Sequence, residues 1–220
     1  MNSRIKSITD AATDLFLRQG YARTQISHIA KAAGISVGSI YNDFSGKQEI
    51  MHFVLKCTID PDFLNREFER PITDDLFGDL NSEIMSLFKQ TGADLLKPLE
   101  HGIGSYTFEE LIADAFDLLA RYAVGCLFIE KNQYDFKVLA DSYKTYRRHF
   151  FDTMLQYLMI FIENGTVRPL DHPQLAVTMI IEILTWWSMD RRYISFEPSD
   201  VSLTAARQIC VDTIIHAYKN

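Results

Sequence analysis

The sequence predicts an all-α fold, on three observations. Apolar residues recur at spacings of three and four along most of the chain. No stretch alternates apolar and polar residues as a half-buried strand would. A hydrophobic content of 47% with only 6 prolines in 220 residues suits one large or two small domains with a proper core, and argues against extended disorder.

The elements follow in order. Residues 3 to 19 place Ile5, Ile8, Ala12, Leu15 and Phe16 at helical spacing, and Gly20 is the stop. Thr24 is expected to cap a short helix carrying Ile26, Ile29 and Ala30, which ends at Gly34, a residue able to take the left-handed turn conformation. Ser36 is placed to cap a third helix over 37 to 43, with Ile40 and Phe44 pointing inward. Two short helices joined by a glycine-bearing turn make a helix-turn-helix, whose second member can enter a major groove about 12 Å wide. The composition of "AGISVGSIYNDFSGKQEI" (33 to 50) then has a reason. Gly38 and Ser39 keep one side of the third helix slim, Tyr41 offers a hydroxyl to phosphate, and Lys47 stands at a helix start whose amides attract anions. An ordinary helical corner is the plainer alternative.

Charge is distributed unevenly. Residues 1 to 50 hold six basic and four acidic side chains, a balance of +2, so the rest of the chain carries -9 of the total of -7. A mildly basic end can approach phosphate while an acidic body is repelled by it.

The run from Ile8 to Ile50 contains "AATDLFLRQGY", then Thr24, "ISHIAKAAGIS" and "GSIYNDFSGKQEI". It resembles the DNA-binding domain of the tetracycline-repressor-like (TetR) transcriptional regulators, over about a fifth of the chain. The resemblance implies an all-α homodimer: residues 1–47 would form the three-helix helix-turn-helix DNA-binding domain, and residues 48–220 a larger helical ligand-binding and dimerisation domain. It implies phosphate contacts for Thr24, Tyr41 and Lys47 and a base-facing side made by Val37, Gly38 and Asn42, with Ser36 and Ser39 on the same surface. Two positions depart from the family pattern. Val37 stands where many members carry lysine or arginine, and Asp43 where histidine or tyrosine is common. A lost cation and an added anion near the groove would weaken nonspecific affinity. Asp43 is read as a solvated carboxylate or, alternatively, as the partner of a neighbouring base-contacting or basic group.

Beyond residue 46 a helix runs to about Thr58, and Asp60-Pro61 marks a bend or restart, either a packing kink or a hinge between domains. Residues 62 to 104 read as one or two helices and a loop at "EHGIGSY", an added cap over a ligand site or a lengthened ordinary helix. Long helices are expected at 107 to 131 and 137 to 163. Region 101 to 165 holds 13 of the 27 aromatic residues, which suits a pocket for an apolar or planar ligand, although helices of this length need a buried stripe in any case. The last helices, near 173 to 192 and 200 to 218, follow "DHP" and "EPSD", and by the resemblance pair with a second copy as a four-helix bundle. Glu182 interrupts the apolar run "LAVTMIIEILTWW" and is expensive to bury unpaired. It would meet Arg147 or Arg148, face a second chain, or hold a ligand's polar group. The candidate ligand-facing residues are Tyr122, Cys126, Phe150, Met154, Glu182 and Trp186.

Catalysis finds no support. The six histidines fall singly, and "GIGSY" follows no strand that would make it a dinucleotide loop. No catalytic residue, metal site or cofactor is expected. Cys57, Cys126 and Cys210 are too scattered for a zinc site or disulfide framework and read as reduced thiols of a cytoplasmic protein. Asp10 and Asp14 interrupt what a signal peptide would keep apolar, and the longest apolar runs are about eight residues, too short for a membrane span. The expected partners are a double-stranded DNA operator, a small-molecule effector of apolar or aromatic character, and a second copy of the chain. The competing reading is a helical ligand-binding or scaffolding dimer without operator binding.

Overall fold

The computed structural model describes residues 3–100, 102–196 and 200–220, and among these it forms helices and no strand. The helices are α1 (Ser3–Arg18), α2 (Ile26–Ala33), α3 (Val37–Asp43), α4 (Lys47–Ile59), α5 (Leu80–Glu100), α6 (Phe108–Lys131), α7 (Lys137–Glu163), α8 (Pro173–Thr185), a short α9 (Arg191–Tyr193) and α10 (Leu203–Tyr218). The chain divides into two compact units. One combines Met1–Leu87 with Val124–Ala140, and the other Phe88–Ala123 with Asp141–Asn220. In the first unit α4 and the segment after it pack into the same core as α1 to α3.

In the first unit the periodic residues of α1 do what their spacing predicts: Ile5, Ile8, Ala12 and Phe16 are fully buried, together with Ile29 of α2, Ile40 of α3 and Ile50 of α4. The cap of α2 differs from expectation. Gln25, not Thr24, is the N-cap, its amide donating to His28 Nδ1 at 3.3 Å. Thr24 is unavailable because it is buried and its hydroxyl donates to the Gly20 carbonyl at 2.8 Å.

No helix restarts at Asp60-Pro61. Asp60 ends α4, a 3-10 turn covers Phe63–Asn65, and the chain returns along α4 as an irregular strap. Aromatic packing is the reason: Phe63, Phe68 and Phe77 all close on Phe53 of α4, with ring centroids 5.1, 5.2 and 6.5 Å away, and Phe44 approaches from α3 at 5.4 Å. Burying four rings around a fifth outweighs the helix that Pro61 could have started. The strap is also paired through its backbone, since the Ile72 amide donates to the Asp43 carbonyl at 2.8 Å and the Ser45 amide to the Ile72 carbonyl at 2.9 Å. Farther along, Asp74 accepts from Gln48 and pairs with His52, both on α4, at 2.6 Å. The following region is a single helix, α5, which runs through Gly92 and keeps Pro98 in its last turn.

The end of α6 and its turn into α7 belong to this unit as well. Asn132, almost fully buried, accepts from the Tyr21 amide at 2.6 Å and donates to the Phe128 carbonyl at 2.7 Å. Gly125 lies so close to α4 that a Cβ there would stand 2.9 Å from Thr58 Cγ2.

The second unit is built on Phe108, Leu111, Ile112, Ala115 and Phe116 of α6 against the buried face of α7, Phe108 meeting Phe161 edge-on at 5.6 Å. The Tyr157 hydroxyl donates to the Leu95 carbonyl at 2.8 Å, and Arg207 of α10 grips Asp117 of α6 with two hydrogen bonds. Pro173 at the first position of α8 is the start that "DHP" signals. The "EPSD" start of the last helix falls largely on residues 197–199, outside the described residues, and Ser202 caps α10 by accepting from the Ala205 amide.

The cysteines give one consequence for stability. Desolvation, reinforced by Asp60 and Asp10, pushes the Cys57 thiol up to about 12, and desolvation pushes Cys210 up to about 11, from an ordinary 9.0. Above pH 9 the unfolded thiols ionise while the folded ones keep their protons, so stability falls as pH rises from 9 towards 11 and 12. Urea midpoints at pH 8 and pH 10 should therefore drop for the wild type and drop less for Cys57→Ala; equal drops would show that Cys57 does not contribute.

Candidate nucleic-acid interface

The turn between α2 and α3 is set by Gly34, which adopts φ 69° and ψ 31°, a region where a side chain would be strained. The Gly34 amide bonds to the Lys31 carbonyl and the Ile35 amide to the Ala30 carbonyl, closing α2. Ser36 then caps α3, its Oγ accepting from the Ser39 amide at 3.0 Å and lying 2.8 Å from Ser39 Oγ. Ser36 and Ser39 thus use their hydroxyls on each other and on the helix start. Ile40 and Phe44 face the core, both fully buried, as their spacing predicts.

What remains of α3 is a row of outward side chains. Val37 is 41% and Tyr41 50% exposed, and Gly38 and Asn42 are exposed beside them. Gly38 is not required by the fold: its backbone is helical, and the nearest atom to an added Cβ would be Ser36 Oγ at 3.8 Å. Space on the outer side is the only thing a methyl group would take. Gly38→Ala should accordingly stabilise the unit by roughly 0.5 to 1 kcal/mol through helix propensity while weakening DNA binding. Denaturation and binding titrations on one preparation test this, and gains in both would show that the slim side serves no close approach.

Two of the expected phosphate contacts look inward. Thr24, 1% exposed, spends its hydroxyl on Gly20 and accepts from Gln19 Nε2. This corrects the expected outward placement: the tight α1–α2 turn leaves the Gly20 carbonyl in need of a donor, and the Thr24 hydroxyl supplies it. Lys47 reaches back across the same turn. Its Nζ donates to the Tyr21 and Thr24 carbonyls, each at 2.9 Å, and lies 4.1 Å from the centre of the Tyr21 ring. Desolvation lowers its pKa, with Asp135 opposing the shift. Two of its three donors are committed, which leaves one for an external acceptor.

Asp43 settles the choice left open by the sequence. It is fully buried, not solvated, and it pairs with basic groups. Arg4 holds it through Nε and Nη2, and Arg70 through Nη1 at 2.8 Å. Neither arginine was singled out in the sequence, because each lies far from residue 43 along the chain.

The candidate ligand residues fall in both units, Cys126 in the first and the others in the second. Phe150 and Met154 are buried on one face of α7, and Tyr122 is half-buried with Arg121 stacked 5.5 Å from its ring centre. Cys126 is buried in the first unit. Glu182 is exposed on α8, and Trp186, which follows the helix, is exposed as well. An exposed carboxylate needs no internal partner, which removes the reason for expecting one. A cleft of about 450 Å³ opens in the second unit among Ile103, Tyr106, Phe161, Thr166 and Lys219. Its one sequence signal was the glycine-rich loop "GIGSY". Among the described residues no group of histidine, cysteine and acidic side chains is arranged to hold a metal, and no helix is long and apolar enough to cross a membrane.

Residues 8–53, which span α1 to the first half of α4, match the profile of the bacterial regulatory proteins of the tetR family. The N-terminal domain belongs to the tetR family. The match covers the turn, the Ser36 cap and the exposed row of α3 in their observed order. HTH-type transcriptional regulator HbdR of Aromatoleum sp. (strain CIB) is 42% identical over 60 residues, 27% of this chain and 26% of that protein. The fatty acid metabolism regulator protein of Bacillus subtilis (strain 168) is 41% identical over 49 residues, 22% of this chain and 25% of that protein. These matches span about a quarter of each relative's length. The ketosteroid transcriptional regulator KstR2 of Mycobacterium tuberculosis shares the fold, with a TM-score of 0.53 at 19% identity over 100% of this chain and 97% of that one. The likeness in fold extends beyond the matched N-terminal segment to the whole chain.

Proposed function

We propose that the chain is a cytoplasmic, ligand-responsive transcriptional regulator, a repressor that binds palindromic operator DNA as a homodimer. The observation that carries the reading is α3: a capped helix that turns Ile40 and Phe44 inward and leaves Val37, Gly38, Tyr41 and Asn42 uncovered. A buried helix face and a bare one of this kind suit a helix presented to a groove. The homodimer is supported by α8 and its C-cap, where Leu175, Met179 and Trp186 form a stripe 63%, 56% and 42% exposed, with Glu182 on the same side. A second copy would cover it. An apolar or aromatic effector is supported by the aromatic interior of the second unit, where Tyr106, Phe108, Tyr157 and Phe161 meet in pairs.

In this reading the dimer holds two copies of α3 about one DNA turn, roughly 34 Å, apart. Effector binding favours a state with a different spacing, and operator affinity falls by the ratio of effector affinities for the two states. Within the interface Asn42 reads bases, whereas Tyr41 and the spare donor of Lys47 contact phosphate. Asn42→Ala should then alter the preferred sequence, and Tyr41→Phe should weaken all duplexes alike. Equal losses on selected and random DNA for Asn42→Ala would remove its base-reading role.

Selection of bound sequences from a random duplex library at about 0.1 M salt tests the whole proposal. Enrichment of an inverted repeat is the expected result. Failure to enrich any sequence, from a folded dimer with or without cell extract, would overturn it.

A further inference from the structure

We propose that Arg4 and Arg70, clamped on Asp43, form a second contact to the DNA phosphodiester backbone beside α3, so that the strap after α4 is part of the DNA-binding surface. The inference rests on the DNA-binding reading above and adds to it two residues outside the matched segment, since Arg4 precedes residue 8 and Arg70 lies beyond residue 53.

Charge is the first argument. The carboxylate is wholly buried, yet the side chains of its two guanidinium partners remain 42% and 34% exposed. One negative and two positive charges leave a local excess of +1. Each guanidinium has five N–H donors, and the clamp uses two from Arg4 and one from Arg70. The remaining donors suit phosphate oxygens, which arginine binds in a planar, forked geometry.

Position is the second. Successive residues of a helix turn by about 100°, which sets Asp43 one step round from the exposed Asn42 and on the side of the half-buried Ser39. The arginines therefore meet α3 at the margin of its bare face. They also stand at the C-terminal end of the helix, whose carbonyls favour cations.

Preorganisation is the third. Arg70 is two residues from Ile72, whose backbone pairs with Asp43 and Ser45, and Phe68 and Phe77 anchor the strap on either side. A cation held this way loses little freedom when it meets a phosphate. The arrangement also gives the departure at residue 43 a physical sense: an anion at that position does not repel DNA when it is enclosed and outnumbered by the cations it orients.

The test is the salt dependence of binding to a random-sequence duplex, measured for the wild type, Arg70→Gln, Arg4→Gln and Arg70→Lys. Each glutamine variant should bind more weakly and show a slope of log affinity against log salt shallower by about 0.9, the release of one counterion. Arg70→Lys keeps a charge and should keep the slope. An unchanged slope in both glutamine variants would make the arginines structural clamps and overturn the proposal, as would a slope lost equally in Arg70→Lys. Circular dichroism at the binding temperature identifies any unfolded variant, and Arg70→Lys then decides against the wild type. If the wild type itself binds no duplex, the DNA-binding reading fails and this proposal fails with it, a result distinct from a failure confined to the variants.

Discussion

Phe53→Ala is expected to lower the unfolding free energy of the first unit by about 3 to 5 kcal/mol, the usual range for removing a buried phenylalanine. Phe53 has no exposed surface and touches the rings of Phe44, Phe63, Phe68 and Phe77, which come from α3 and from three points of the strap. The cost should lie at the upper end of that range because the rings around the cavity are themselves tied down. Ile72 is fixed by backbone hydrogen bonds and Asp74 by Gln48 and His52, so the strap cannot simply collapse inward. Urea unfolding followed by circular dichroism gives the value. A loss below about 1 kcal/mol would mean that the cluster is loosely packed and that the strap moves freely over α4.

Asp43→Ala should cost the same unit roughly 3 kcal/mol. The carboxylate accepts three hydrogen bonds from guanidinium groups, and bonds to charged partners contribute more than neutral ones, about 1.5 to 3 kcal/mol each before compensation. Compensation is substantial, because both arginines are partly exposed and regain water when the acid is removed. The variant loses the hinge pin between α1, α3 and the strap, so its unfolding should also be less cooperative than that of the wild type. Asp43→Asn, which preserves shape and one acceptor, should lose less. Equal losses for alanine and asparagine would assign the effect to charge alone, and no loss for either would show that the triad is neutral for stability, as some buried ion clusters are.

How much of this could be read beforehand depended on how far each partner lies along the chain. The bounds of α3 followed from Ser36 and Gly34, because a cap and a turn are decided within a few residues. The bounds of α6 and α7 followed from long, uninterrupted periodicity. Thr24 was read in the wrong orientation because a threonine before an apolar run can cap outward or bond inward to the carbonyl four residues back, and only the packing of the α1–α2 turn decides which. Asp43 could not be resolved, since its partners stand 39 and 27 residues away. Asn132 gave no signal at all, being 111 residues from the amide it accepts. Aromatic enrichment, for a related reason, reports that a core exists and not which of its side chains share a cavity.

The strap and the α6–α7 turn have a bearing on how this headpiece could be handled as a cassette. A fragment ending with α4 would contain the whole matched segment, and by sequence alone it would pass for a self-sufficient reader of DNA. It would lack Arg70 for Asp43, Phe63, Phe68 and Phe77 for Phe53, and Asn132 for the Tyr21 amide. Grafting that fragment onto another protein's body would transplant α3 without the later chain that holds it, and the exchangeable part of this protein is correspondingly larger than its motif.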